Sequence, residues 1–351
     1  MTSQSRASVV FGACSKADTY AAQPVWTKMG EQAPTHLVLL GDQIYMDFGL
    51  GNLYKPAKWP IGMFTEEMHK RYALQWNVPE MRAFLDLVRI PPDRIFATWD
   101  DHDFAWNNAV GGKVLPCSAK PYWVDLPHRT VAEALARQYF DVLRTRPDDY
   151  PAVPNHLPAP QGIHTRGDIA GVPLFILDTR SFRDRPDAGD SVLGAAQEQW
   201  LLDELASIPV EQPLILASGI TLGAGRTFSY RPGFLESVYD KVFAEAETWN
   251  QSRGTGAFLA KALAGRKVLW LSGDIHTNAY VTHDLPGLRY PIHEAISSGL
   301  AITGYKVGWW GEQRNFGVLR IGDDRWEVEL HKSKAGAVVR RTIEVGSWES
   351  S

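Results

Sequence analysis

Residues 36–47 read HLVLLGDQIYMD, an apolar run of strand length that ends at a glycine and then delivers an aspartate, Asp42. Similar runs occur at 8–13, 94–98, 173–177, 213–218 and 267–272. They are rich in Val, Ile, Leu and Phe and do not alternate with polar residues, which is typical of strands buried on both faces. The pattern predicts a largely parallel sheet covered by helices.

Stretches between these runs carry apolar residues three and four positions apart, which predicts amphipathic helices. We predict helices over 79–89, 128–144, 195–207 and 235–250. Strands that alternate with helices indicate an α/β fold. From about residue 315 to about 346 apolar and polar residues alternate, which predicts antiparallel strands that complete a sheet edge.

Composition excludes several classes of protein. The net charge is −4 and no basic run occurs, which argues against a nucleic-acid scaffold or a binder of anionic membranes. Two cysteines, Cys14 and Cys117, are too few for a disulfide framework. We predict a single domain over residues 1–351, with insertions at about 48–90 and 104–170.

The sequence also bears on location. No window approaches 18 consecutive apolar residues, so we expect no membrane span. The first 15 residues show no signal-peptide pattern. We therefore expect a cytoplasmic protein, or a secreted or periplasmic one if a leader has been removed from the chain.

Metal-ligating side chains follow five of the apolar runs. They are Cys14, Asp42, the cluster Asp100–Asp103, Asp178, and Asp274 with His276. Taken singly, Asp42 could cap a helix, Cys14 could be a small buried hydrophobe, and His276 could be a core histidine. Ligand sites in open α/β sheets lie outside the carboxyl ends of the strands. The coincidence of these residue types at strand ends therefore favours a cation site.

Residues 98–108, TWDDHDFAWNN, place three aspartates and a histidine in four consecutive positions. Carboxylates this close resist joint ionisation unless a positive charge lies between them. Carboxylate oxygens suit Fe³⁺, Mg²⁺, Ca²⁺ or Mn²⁺, whereas the thiolate of Cys14, the phenolate of Tyr45 and the imidazole of His276 favour a transition metal. We therefore predict a mixed site of one transition metal and harder cations, which can hold a phosphoryl group.

Signatures of other chemistries are missing from the sequence. It contains no G-x-S-x-G nucleophile elbow, no G-x-x-x-x-G-K-[ST] loop and no H-E-x-x-H helix. No dinucleotide fingerprint follows the first strand. These absences argue against an α/β-hydrolase, a P-loop nucleotidase, a zinc metalloprotease and a Rossmann dehydrogenase.

Six motifs stand in order between residues 11 and 276: FGACS, LLGDQIYMD, TWDDHDFAWNN, LFILDTRSFRD, LGAAQEQWLLDEL and LSGDIH. Together they closely resemble the alkaline phosphatase D (PhoD-like) metallophosphatases of the calcineurin-like and purple acid phosphatase superfamily. The resemblance implies a four-layer α/β/β/α sandwich, with two facing mixed sheets and a metal centre at their loop ends. Many relatives carry an extra N-terminal β domain, and we expect no separate one here.

The resemblance also implies the metals, Fe³⁺ with one or two Ca²⁺, for which Mn²⁺, Mg²⁺ or Zn²⁺ could substitute. The implied ligands are Cys14, Asp42, Tyr45, Asp100, Asp101, Asn107, Asp274 and His276. Asp42 would bridge metals, and Tyr45 would supply a phenolate to ferric iron. Asn107 belongs to the calcium side, together with either Asp100 or Asp101, because the register of the acidic cluster is open between these two.

We therefore predict a metal-dependent phosphoester hydrolase, in which a metal-activated hydroxide attacks phosphorus in line. His102 stands where relatives place a histidine near the leaving group and could act as general acid. Arg180 or Arg183 could neutralise the phosphoryl oxygens. The alternative for Arg180 is a structural ion pair with Asp178.

Substrate contacts are less specific in the sequence. Trp309 and Trp310 could form an aromatic wall beside an organic leaving group, although packing of one of them in the core fits as well. The expected partner is a small-molecule phosphoester. Alternatives are a phosphodiesterase or phospholipase D-like activity on the same centre, a metal-free hydrolase with paired carboxylates, and a catalytically silent metal-binding protein.

Overall fold

The computed structural model of the protein describes residues 5–47, 56–114, 122–185, 189–223, 248–306 and 309–351, with backbone alone at 303–306 and 309–312. The strands in chain order are β1 (Ala7–Ser15), β2 (His36–Leu40), β3 (Ile95–Thr98), β4 (Thr165–Ile169), β5 (Val172–Ile176), β6 (Leu214–Ser218), β7 (Val268–Ser272), β8 (Asn278–His283), β9 (Ile292–Lys306), β10 (Trp309–Gln313), β11 (Asn315–Ile321), β12 (Arg325–Lys332), β13 (Gly336–Glu344) and β14 (Glu349–Ser350).

The described α-helices are α1 (Val25–Gly30), α2 (Ile61–Trp76), α3 (Pro79–Val88), α4 (Asp101–Phe104), α5 (Leu126–Thr145), α6 (Gly194–Ala206) and α7 (Thr255–Ala262). Three predicted helices are confirmed within two residues at each end, as α3, α5 and α6. The fourth, over 235–250, lies almost entirely outside the described residues, as does Cys117.

The strands form two sheets that meet along one junction. In the first sheet β3, β2 and β1 run parallel, and β11 to β14 continue it in antiparallel order, as the alternation after residue 315 predicts. In the second sheet β5, β6, β7 and β9 run parallel, and β4, β8 and β10 pair antiparallel at β5 or β9. A short parallel contact between β1 and β9, through Ala13 and Ser298, joins the two sheets.

Alternate side chains of the parallel strands enter different cores. In β2, Leu37 and Leu39 pack outward beneath α1, α2, α3 and α5, whereas Val38 and Leu40 pack inward against the second sheet. The strands of the second sheet likewise divide their side chains between the inner core and an outer core beneath α6 and α7. Three cores separate four layers, which confirms the α/β/β/α sandwich and explains why the apolar runs do not alternate.

The described helices also bear on the predicted absence of a membrane span. In the part of the chain that the structure describes, no helix combines the length and the apolar character needed to cross a bilayer.

Candidate metal centre

The carboxyl ends of parallel strands deliver most of the predicted site residues to one end of the sandwich. Cys14 lies near the end of β1, and Asp42 follows β2 by two residues. Asp100 and Asp101 follow β3, and Asp274 follows β7. The strand pairing brings all four ends together, because β1 is the neighbour of both β2 and β9 and β9 is the neighbour of β7. This is the edge at which ligand sites of parallel sheets form.

Three overlapping groups of potential metal ligands occupy this edge, with the ligand atoms of each group within 4.8 Å of one another. Among the described residues they are Cys14, Asp42 and His276; Asp42, Asp101 and His102; and Asp100, Asp101 and Asp274. The first two groups share Asp42, and the last two share Asp101. The three groups therefore form one continuous cluster, with soft ligands at one end and carboxylates alone at the other.

Hydrogen bonds connect the residues of the first group to one another and to Tyr45. The Cys14 Sγ lies 3.5 Å from Asp42 Oδ2, and the Tyr45 hydroxyl donates to the same oxygen at 3.0 Å. The Tyr45 hydroxyl also lies 3.1 Å from Nε2 of His276. Ser298 Oγ completes the group, 3.0 Å from Cys14 Sγ and accepting from the His276 backbone N–H at 2.9 Å. Thiol, phenol, carboxyl and imidazole thus form one hydrogen-bonded group.

Burial opposes ionisation of this group. It raises the pKa of the Cys14 thiol, the Asp42 carboxyl and the Tyr45 phenol well above their usual values, and the Asp42 charge raises the other two further. Asp42 Oδ1 is buried and has no hydrogen-bond partner in the described part of the chain. A bound cation would give that oxygen a partner and favour the charged form of all three groups. The donor set therefore fits a metal.

Backbone conformation at the candidate ligands is unusual. Cys14, Asp42, Asp274 and His276 adopt left-handed φ values of 64°, 53°, 70° and 52°. Such values are costly for residues with a side chain and concentrate at functional sites. Gly41 precedes Asp42 with φ 92°, and a Cβ there would lie 2.7 Å from the Asp100 Cβ and backbone nitrogen. Only glycine therefore allows the β2 and β3 loops to approach this closely.

Asp101 is the best anchored member of the acidic cluster. It accepts from the His102 N–H at 3.0 Å and from the Asn108 N–H at 2.6 Å. Burial alone would raise its pKa, but the charges of His102 and Arg180, together with both N–H donors, bring that pKa below the usual value. Asp101 is therefore held as a carboxylate without a cation.

Asp103 lies behind the ligands and joins their loops. Its carboxyl accepts from the Gln43 N–H at 3.0 Å and from the Asp100 N–H at 2.5 Å. The same contact to Asp100 forms one half of a capping box at the start of α4. Burial raises the pKa of Asp103 to about 7. Asp103 thus links the loop that carries Asp42 to the loop that carries Asp100.

His102 is paired with an aspartate. Its Nδ1 lies 2.6 Å from Asp47 Oδ1, and Asp47 Oδ2 accepts from the Asn107 N–H at 2.7 Å. Burial alone would lower the pKa of His102, but the charges of Asp101, Asp47 and Asp42 raise it well above the usual value. These charges favour the imidazolium form of His102, and the contact with Asp47 sets the orientation of the ring.

Other predicted site residues occupy different positions. Arg180 is fully buried and donates from Nε to Asp100 Oδ1 at 2.5 Å, so its ion pair is with Asp100; Asp178 instead accepts from the Arg180 backbone N–H at 3.0 Å. Arg183 is also buried, with Nη2 3.5 Å from the Thr248 carbonyl. Asn107 is exposed, and its backbone is what contacts Asp47.

The structure describes the backbone of the two tryptophans predicted to form the substrate wall. The backbones of Trp309 and Trp310 belong to β10 and pair with Lys306 and Tyr305 of β9. Their side chains lie outside the described part of the chain.

Sequence reasoning assigned no individual role to four residues of the centre. Asp47, Asp103 and Gln43 stand inside quoted motifs, where their closeness to Asp42 or Asp100 is the available signal. Ser298 carries no such signal, because it lies 284 positions from the cysteine that it contacts. Only the junction of β1 with β9 brings it to the site.

Comparisons with known proteins bear on the family and the fold of the chain. A model of the PhoD-like phosphatase family matches residues 9–303. A solved structure of PhoD has a TM-score of 0.65 and 16% identity, covering 98% of this chain and 71% of that one, which shows a common fold. The structure of a predicted phosphoesterase from Streptococcus pneumoniae TIGR4 has a TM-score of 0.31 and 7% identity, covering 96% of this chain and 97% of that one.

Among curated proteins, none matches the sequence. The family match nevertheless spans well over half of the chain and contains every candidate ligand. This chain therefore belongs to the PhoD-like phosphatase family and is a metal-dependent phosphoesterase.

Proposed function

We propose that the protein hydrolyses a small-molecule phosphate ester by in-line attack of an activated water at the cluster of three ligand groups. The observation that carries the proposal is that Asp42 and Asp101 of the middle group connect the two outer groups, in which the cations would bind, while His102 of the middle group is left to act as a proton donor and not as a ligand. Adjacent cation sites of this kind can bind one phosphoryl group from two sides. When bound, the cations supply Lewis-acid activation of the attacking water and neutralise charge on the phosphoryl oxygens.

The ligand chemistry of the cluster supports different metals at its two ends. Cys14, Tyr45 and His276 supply sulfur, phenol oxygen and imidazole nitrogen, which suit Fe³⁺ or another transition metal. Asp100, Asp101 and Asp274 supply carboxylate oxygens, which suit Ca²⁺, Mg²⁺ or Mn²⁺. We propose Fe³⁺ at the first end and one or two Ca²⁺ toward the second, with Asn107 as a further proposed ligand on the calcium side.

His102 is the proposed general acid. Asp47 contacts Nδ1 of the ring, and we assign to Nε2 the proton that is delivered to the departing alkoxide. The surrounding carboxylates raise the pKa of His102, which favours the protonated ring that a general acid requires. Loss of the proton at high pH would then slow the release of poor leaving groups.

A diester substrate is the second candidate, and the burial of two arginines favours it. Arg180 and Arg183, the predicted phosphoryl ligands, are 0% and 1% exposed. A monoester carries one more negative charge than a diester, and these two guanidinium groups present no surface to that charge. Monoesterase and phosphodiesterase or phospholipase D-like activities therefore remain distinct proposals for the same centre.

The experiment that tests the function compares a nitrophenyl phosphate monoester with a bis-nitrophenyl diester. Each is assayed with the protein as purified, after chelation, and after reconstitution with Fe³⁺ and Ca²⁺. We expect chelation to remove at least about 99% of the activity and the metals to restore it. The ratio of the two rates assigns the substrate class. Chelator-resistant turnover would instead support the metal-free carboxylate mechanism.

Replacing Asp47 by asparagine should slow poor leaving groups selectively. The amide removes one of the charges that, with those of Asp101 and Asp42, raise the pKa of His102, and it weakens the contact that orients the ring, so kcat for an alkyl phosphoester should fall by about 10- to 100-fold. Nitrophenolate leaves without a proton, so the nitrophenyl ester should lose less. The alkaline limb of the alkyl-ester profile should move to lower pH.

Asp168→Asn is the matched control, because Asp168 is an exposed aspartate that caps a turn through the Gly171 N–H. Its pH profile and both rates should match the unmodified protein. Equal losses for alkyl and nitrophenyl esters in Asp47→Asn would contradict the general-acid role of His102.

A further inference from the structure

Two chain segments from the facing sheets contact each other residue by residue beside the metal centre. Thr98 Oγ1 donates to the Leu177 carbonyl at 2.9 Å, one position before Trp99 Nε1 donates to the Asp178 carboxyl at 2.8 Å. The next residue, Asp100, accepts from Arg180 Nε at 2.5 Å. We name this set the inter-sheet clasp: Thr98, Trp99, Asp100, Leu177, Asp178 and Arg180.

Asp178 fixes the middle of the inter-sheet clasp. Besides the Trp99 indole, its carboxyl accepts from the backbone N–H groups of Arg180 at 3.0 Å, Ser181 at 2.9 Å and Ile163 at 2.9 Å. Four donors saturate this fully buried carboxylate. It thereby sets the positions of the backbone at Arg180 and of the residue that precedes Asp100.

Arg180 lies at the end of the inter-sheet clasp, between two of the carboxylates. Its Nε donates to Asp100 Oδ1, and its Nη2 lies 3.8 Å from Asp101 Oδ1. The side chain is 0% exposed. A guanidinium withdrawn this completely from water needs such carboxylates as partners, and its planar donors orient them. The contacts thus couple Arg180 to both carboxylates rather than to a surface open to substrate.

The charges of the third ligand group agree with this coupling. Asp100, Asp101 and Asp274 are three carboxylates, and the Arg180 guanidinium offsets one of them. Two net negative charges remain, which match one divalent cation. Without the arginine, the added negative charge alone would favour a cation, so weaker cation binding would report the loss of the orientation that the guanidinium gives to Asp100 and Asp101.

We propose that Arg180 is a positioning residue that acts through Asp100 and Asp101 to shape the third ligand group for a divalent cation, and that it does not bind the phosphoryl group. The inference rests on the proposed function, because it takes the third group to hold a cation during ester hydrolysis. It assigns the charge of the arginine a role in binding the cation, in place of the contact with the phosphoryl group expected from sequence.

Calcium binding to the metal-depleted protein tests the proposal without any activity measurement. Titration calorimetry with Ca²⁺ should show about 10- to 100-fold weaker binding in Arg180→Met than in the unmodified protein. In the reconstituted enzyme at saturating Ca²⁺, the inhibition constant of inorganic phosphate should change less than about twofold, because the phosphoryl contacts are intact. Unchanged Ca²⁺ affinity, with or without weaker phosphate inhibition, would overturn the proposal.

Arg266→Met is the matched control. Arg266 is a buried arginine that donates to the carbonyls of Leu205 and Ile208, away from the ligand groups. It should bind Ca²⁺ as the unmodified protein does, even if its melting temperature falls. Equal Ca²⁺ losses in both variants would mean that general destabilisation is responsible and would also overturn the proposal.

Arg180→Lys keeps the experiment decisive if Arg180→Met does not fold. The ammonium preserves the charge but not the planar pair of donors, so Ca²⁺ affinity should fall by about 3- to 10-fold with phosphate inhibition unchanged. Affinity equal to that of the unmodified protein would reject a positioning role. If the unmodified protein itself binds no Ca²⁺, the proposed metal centre fails; if it binds and the variants bind equally, this inference alone fails.

Discussion

Asp42→Asn is expected to lower kcat/KM for either nitrophenyl ester by about a thousandfold or more, which corresponds to about 4 kcal/mol of transition-state stabilisation. Asp42 belongs to two of the three ligand groups, so one substitution weakens both. The amide keeps the shape of the side chain but loses the charge that a buried cation requires. It also places an amide group where a carboxylate oxygen accepts from the Tyr45 hydroxyl.

Metal content distinguishes this effect from a local packing defect. The variant should retain less than about a tenth of the iron of the unmodified protein after reconstitution, because the first group loses its charged ligand. Asp168→Asn serves again as the control and should keep full metal content and activity. Full activity in Asp42→Asn would remove the shared ligand from the mechanism and refute the proposed centre.

Metal removal is expected to lower the melting temperature by on the order of 10 °C at neutral pH. A ligand that binds only the folded state raises the free energy of unfolding with the logarithm of its concentration relative to Kd. The gain is about 4 kcal/mol at a ligand concentration a thousand times Kd. In addition, the metal-depleted protein is left with adjacent buried carboxyls that burial keeps from ionising. Differential scanning calorimetry before and after chelation measures the difference.

The same buried acids predict how the metal-depleted protein responds to pH. Burial raises the pKa of Asp103 to about 7, whereas an unfolded aspartate titrates near 4. The folded state therefore binds the extra proton between these values. The stabilising contribution is complete below about pH 4, declines as the pH rises, and is lost above about pH 7.

Asp103→Asn isolates this contribution, since an amide does not titrate. The melting temperature of the variant minus that of the metal-depleted parent should increase by several degrees as the pH goes from about 5 to about 8, because only the parent loses stability over this range. A constant difference in melting temperature is also expected. The two carboxylate oxygens of Asp103 accept separately from the Gln43 and Asp100 N–H groups, and the NH₂ that replaces one of them cannot accept. Parallel curves for the two proteins over this range would show that Asp103 does not titrate there.

Much of this architecture could be predicted from local sequence. An apolar strand such as β2 must be buried on both faces, and its end must place Asp42 at the sheet edge, wherever the neighbouring strands lie. The same argument places Asp100 and Asp274. Periodicity identified α3, α5 and α6, because this signal depends on residues only a few positions apart.

The partners of the site residues could not be predicted in this way. From sequence alone Arg180 could pair with Asp178, two positions away, or contact substrate; in the fold its guanidinium pairs with Asp100, 80 positions away. His102 likewise takes its partner Asp47 from a different strand loop, 55 positions distant. Hydrogen bonds between loops depend on how the strands are ordered and how the two sheets face each other.

The sequence by itself therefore determined which residue types arrive at the carboxyl edge, through strand patterning and the motifs that follow each strand. Only the tertiary structure decided which of them share a ligand group, which are saturated by N–H donors, and which arginine faces the carboxylates. The reason is physical. Periodicity of two or 3.6 residues is a local property of the backbone, whereas the distance between Asp100 and Arg180 is set by the packing of two sheets whose strands are far apart in the chain.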